Sequence, residues 1–139
     1  MGLPALEDAV VPVKVKLSAL WVSAMFCYVY GDYFELYVPG KLQGMLQGRM
    51  EPLGATTQGV LLGASLLMAV PCVMIFLSVA LRPAISRGLN IVAGLVFTGI
   101  MLLIATQGGW HFYVFFAAVE VVLTSAVVWY AWRWPRLPA

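Results

Sequence analysis

Residues 57–81 read TQGVLLGASLLMAVPCVMIFLSVAL, twenty-five positions without an Asp, Glu, Lys or Arg. A bilayer core of about 30 Å is crossed by about 20 apolar residues rising about 1.5 Å each, so this run predicts a membrane-spanning helix. Working outward, similar stretches occupy about 17–37, 89–106 and 112–132. With 63% hydrophobic and 10% charged residues in 139, little chain is left for a soluble module. The expected architecture is all-α: one integral-membrane domain forming a four-helix transmembrane bundle.

Lys and Arg are retained on the cytoplasmic side of short connections. Lys14 and Lys16 precede the first span, Arg82 and Arg87 separate the second and third, and Arg133 and Arg136 follow the fourth. Only Lys41 and Arg49 fall on the other side. Both termini are therefore expected in the cytoplasm, with the 38–56 loop and the Gly108–His111 turn outside. The net charge of +2 is this topology signal, and no nucleic-acid partner is expected. Glu7 and Asp8 spoil a basic leader, and Asp32 and Glu35 stand where a small-residue cleavage site would lie, so span one is expected to be retained. Gly2 lacks the acylation context, and no C-terminal Cys is present.

Span one ends in Cys27-Tyr28-Val29-Tyr30-Gly31-Asp32-Tyr33-Phe34-Glu35-Leu36-Tyr37, closed by Pro39-Gly40. In the following loop Leu42, Met45, Leu46 and Met50 recur at helical spacing, as in a short helix lying in the outer interface. The glycines there suit an ordered coil equally well. In span two Gly59 and Gly63, followed by Ala64 and Ser65, form a small-residue helix-packing face, and Pro71 predicts a kink near Cys72. Span three has no ionisable residue, and Asn90, Gly94, Thr98 and Gly99 supply small or polar packing positions. Trp110, Tyr113, Trp129, Tyr130, Trp132 and Trp134 fit interfacial aromatic belts.

Charged side chains are costly in lipid, so the acids of the spans are the functional clue. Ser18, Trp21, Met25, Tyr28, Asp32 and Glu35 share one face of span one; Tyr113, Phe116, Glu120, Thr124 and Val127 form a stripe on span four. Both faces are expected to point inward. Asp32, Glu120 and Glu35 would then converge on an outward-facing pocket, with Tyr28 and Tyr30 offering hydroxyls and aromatic faces. Such a pocket suits a proton, a metal ion or an organic cation, and clustered acids in low dielectric would couple it to protons.

The alternative is that Glu35 reaches water or pairs with Lys41 or Arg49, while Glu120 is held by a Tyr or Thr for packing. His111 stands at the outer turn, where it is a further ligand candidate or a plain turn residue. One His with scattered carboxylates is no recognised metal spacing, so no metal is assigned. Cys27 and Cys72 lack a Cys-x-x-Cys pattern and read as packing residues. No catalytic triad, phosphate loop or dinucleotide fingerprint occurs, and neither an enzyme nor a cofactor is expected.

Trp21, then Tyr30-Gly31-Asp32 near the outer end of span one, Pro39 closing it and Glu120 in the last span resemble an uncharacterised family of small four-helix bacterial membrane proteins. That resemblance implies a four-helix bundle with an Asp32-centred site, in the bacterial inner membrane. Size and span number are also similar to DoxX-like and small multidrug-resistance proteins. The latter carry their key Glu centrally in the first helix, whereas here the central acid is in the last. The function expected is binding or movement of a small cationic or protonatable ligand, in a homo-oligomer. The competing expectation is a non-catalytic accessory subunit of a larger membrane complex.

Overall fold

The structure is a computed structural model and describes residue 6 and residues 9–136. Gly2, Glu7 and Asp8, used above against acylation and a leader, lie outside the described residues. Helix α1 spans Val13–Glu35, α2 Lys41–Leu46, α3 Gln58–Ala80, α4 Pro83–Gln107 and α5 His111–Trp132; strands β1, Arg49–Met50, and β2, Gly54–Ala55, form a small antiparallel hairpin. Four helices, α1, α3, α4 and α5, are long and apolar enough to cross a membrane. The hairpin is absent from the sequence reading, which has only helix or coil in that loop.

Local chemistry sets the helix bounds. Pro83 occupies the first turn of α4, where its fixed φ fits and its missing N–H is not needed. Helix α4 thereby begins about six residues before the expected span, and only Leu81 and Arg82 separate it from α3. Thr57 caps α3, its Oγ1 accepting from the Val60 amide at 3.2 Å. Pro71 does not interrupt α3 but removes the donor for the Leu67 carbonyl one turn earlier. Between α4 and α5 the chain reverses in three residues. Gly108 and Gly109 adopt φ of 72° and 137°, which a side chain would resist.

Helix α1 lies between α3 and α5, and α4 packs most closely on α5. The large exposed side chains are apolar, among them Phe26, Leu62, Leu66, Phe76, Leu103, Phe115 and Val122. Polar residues are found inside. Ser78, Ser86, Asn90 and Thr124 are fully buried, and Glu120 is 4% exposed. This partition suits a bundle in lipid, where an apolar exterior costs nothing and buried polar groups bond across helices.

The strongest polar tie is centred on Asn90. Trp21 Nε1 donates to Asn90 Oδ1 at 2.8 Å, the Ser78 hydroxyl reaches the same oxygen at 3.1 Å, and Asn90 Nδ2 donates to the Ser86 carbonyl at 2.8 Å. The Ser86 hydroxyl donates to the Ser78 carbonyl at 3.0 Å. Helices α1, α3 and α4 are thus pinned at one depth. Nearby, Gly94 supplies the closest backbone approach: a Cβ there would meet Val128 Cγ2 at 2.7 Å and the Thr124 carbonyl oxygen at 3.2 Å. Gly59 and Gly63 meet no other helix within the chain.

Most of the basic residues gather at one end, away from Lys41 and Arg49. Lys14 Nζ donates to the Val79 and Leu81 carbonyls at the end of α3, and Arg87 Nε donates to the Ala131 carbonyl at the end of α5. Lys16 sits over Tyr130, Arg87 over Trp132, and Arg133 over Trp129 at 4.1 Å from the ring centre. These contacts join a cationic collar to the aromatic residues beneath it.

Candidate functional site

Toward the end away from the basic collar the four long helices line a cavity of about 170 Å³. Its depth follows from the small residues that border it. Gly31 on α1 and Ala117 on α5 are buried without filling space, one turn from Tyr28 and Glu120 respectively. Leu67 and Met68 of α3 and Phe97, Ile100, Met101 and Ile104 of α4 supply an apolar wall. Tyr28, Asp32, Tyr113 and Glu120 supply the polar one. Asp32 is exposed at the mouth, while Glu120 lies deep.

Neither carboxylate has a basic partner. The single ion pair among the described residues joins Lys41 Nζ to Glu35 Oε1 at 2.6 Å. No Tyr or Thr holds the Glu120 carboxyl either: the Thr124 hydroxyl donates to the Glu120 backbone carbonyl at 2.8 Å and receives from Thr98 at 2.7 Å. Tyr28 is 6% exposed, and its hydroxyl is a buried polar atom with no hydrogen-bond partner. An unmet buried hydroxyl costs about 1–3 kcal/mol, so this atom beside the cavity is significant.

The structure brings together Asp32, Glu120 and Tyr28. Glu35 lies outside the cavity in a shallow recess of about 440 Å³, which adjoins it through Asp32 and Tyr113. There Lys41 neutralises it and also donates to the Glu51 carbonyl at 3.3 Å. Tyr30 points away, half exposed and stacked between Phe26 and Phe34. His111 is an exposed first residue of α5 and does not line the cavity. The two thiols are free; Cys72 Sγ lies 3.8 Å from Met25 Sδ. No group of three or more His, Cys, Asp or Glu that could hold a metal occurs among the described residues.

Of the stripe expected on α5, Glu120, Thr124 and Val127 are buried, together with Ala117 and Ala131, while Tyr113 and Phe116 are half-buried. On α1 the buried set is Leu17, Trp21, Ala24, Tyr28 and Gly31. Trp21 and Tyr28 are shared with the predicted stripe, but the face is rotated toward the smaller residues, which leaves Asp32 at the rim. Phe97 and Met101, on α4, are cavity residues the sequence reading missed; their only signal is helical spacing from Asn90 and Gly94.

Residues 12–137 match a family described as "Family of unknown function (DUF6326)". The chain belongs to the DUF6326 family. That agrees with the resemblance to an uncharacterised family. No curated protein and no solved structure matches the chain. For this DUF6326 protein, chemistry must be read from the cavity itself.

Proposed function

We propose that this protein is a small multi-pass inner-membrane protein whose outward-facing cavity binds, and moves, a small cationic or protonatable ligand through Glu120 and Asp32. One observation carries the reading: Glu120 is buried on a cavity wall with no Lys or Arg beside it, next to an unpartnered Tyr28 hydroxyl. A buried carboxylate without a counter-ion is costly, and a cationic ligand or a proton supplies what the chain does not. Retention of Lys and Arg in the cytoplasm puts the collar inside and the cavity mouth outside. The Lys41–Glu35 pair and the short helix α2 then lie at the outer interface.

Native mass spectrometry of the protein released from nanodiscs tests this. Wild type should retain a small cation that Glu120→Gln and Asp32→Asn lose while the oligomeric state stays unchanged. Equal ligand content in wild type and both variants would overturn the pocket.

A second reading has an observation of its own. Gly59 and Gly63 form a small-residue face that no helix of the chain covers, as a docking site for another membrane protein would require. An accessory subunit would co-purify with a larger protein in fixed ratio, and Gly63→Leu would abolish that association.

A further inference from the structure

We infer that the ligand is a compact primary ammonium compound with one ring or a short branched alkyl body, rather than an inorganic cation or a quaternary ammonium; this rests on the reading of the cavity as a cation site. Three features of the cavity converge on that class. The first is its mixed chemistry: Asp32, Glu120 and Tyr28 come from α1 and α5, and Phe97, Met101, Met68 and Ile104 from α3 and α4. A metal ion needs several oxygen or nitrogen ligands, and no group of three acidic or metal-ligating side chains is available among the described residues. The apolar wall offers such an ion nothing in exchange for its hydration shell.

The second feature is size. About 170 Å³ slightly exceeds the roughly 150 Å³ cavity known to hold one benzene ring. A body of about six to nine heavy atoms fills that space. The third is the Tyr28 hydroxyl. It is buried and lacks a partner, and its residue lines the same cavity as Glu120. An ammonium N–H satisfies it by donating to its oxygen, while the other N–H groups go to Glu120 and Asp32. A quaternary nitrogen has no N–H and would leave the hydroxyl unmet. Phe97 adds an aromatic ring to the apolar wall, for the ligand's body.

Equilibrium dialysis of radiolabelled 2-phenylethylamine at pH 7 against nanodisc-embedded protein tests the assignment, with empty nanodiscs subtracted. The expected result is saturable binding of about one per chain, displaced by unlabelled benzylamine and unaffected by a hundredfold excess of KCl, trimethylphenylammonium or 2-phenylethanol. Glu120→Gln should weaken binding by at least tenfold, the scale of a hydrogen bond to a charged group, and Tyr28→Phe by about three- to tenfold. Tyr28→Phe keeps the ring, so a folded variant is expected, and an unchanged elution profile verifies it. Ile100→Trp should abolish binding by filling the space.

Displacement by trimethylphenylammonium as effective as by benzylamine, or an unaltered Tyr28→Phe affinity, would overturn the primary-ammonium assignment. No saturable binding of the amine, with another cation retained at Glu120 in native mass spectra, would overturn the ligand class and leave the proposed function standing. Equal binding of 2-phenylethanol and of the amine, insensitive to Glu120→Gln, would overturn both.

Discussion

At the residue scale, burial separates the roles of chemically similar groups. Glu35 and Glu120 are both acids at helix positions, yet Glu35 has Lys41 at 2.6 Å and Glu120 has no basic partner. Asn90 and Tyr28 make the same contrast among neutral polar groups. Asn90 satisfies Trp21 and Ser78, whereas the Tyr28 hydroxyl is unmet. The first is structural and the second is available. Asn90→Leu should therefore lower stability by about 1–2 kcal/mol, because interhelical hydrogen bonds in lipid average about 0.6 kcal/mol each and the Trp21 N–H is left buried without an acceptor. Unfolding in mixed detergent would measure this, and a loss below about 0.5 kcal/mol would show that the tie is replaceable. Tyr28→Phe should leave the same unfolding midpoint unchanged or raise it.

At the element scale, close packing is concentrated between α4 and α5. Gly94 permits it: an added methyl group would strike Val128 Cγ2 and the Thr124 carbonyl oxygen. Gly94→Ala is expected to cost about 1–3 kcal/mol, the range for overpacking a close-packed interior. Gly63→Ala enlarges a residue with open space beside it and should be neutral in the isolated chain. Thermal unfolding of the two variants side by side checks the pair. Equal losses would mean that the α3 face is packed in the native assembly. Helix α3 has the most uniformly apolar sequence, and most of its residues are exposed at the surface of the bundle. Its contribution to the cavity is Leu67 and Met68, one turn before Pro71.

At the scale of the whole molecule, the bundle is polarised from end to end. Lys14, Lys16, Arg82, Arg87 and Arg133 ring one end, with Trp129, Tyr130 and Trp132 beneath them, and Asp32, Glu35, Glu120 and the cavity lie toward the other. The proposed orientation follows from that asymmetry. In a background with Cys27→Ala and Cys72→Ala, a membrane-impermeant maleimide should label Arg49→Cys in intact spheroplasts and Arg136→Cys only after permeabilisation. The reverse pattern would turn the cavity toward the cytoplasm.

The sequence by itself determined the class of this protein. Runs such as 57–81 must be helical in lipid, because every backbone polar group has to be bonded internally, and the fourth span showed its buried face through the spacing of Glu120, Thr124 and Val127. The resemblance to an uncharacterised family, read from Trp21, Tyr30-Gly31-Asp32, Pro39 and Glu120, agrees with the family match over residues 12–137. Only the tertiary structure decided which acids share a space. Facing residues on α1 and α5 are nearly a hundred positions apart, and local periodicity carries no information about how far a helix is rotated toward its neighbour. That rotation, which buries Ala24 and Gly31, set Asp32 at the rim, turned Tyr30 outward and enlisted Phe97 and Met101 of α4 in the cavity wall.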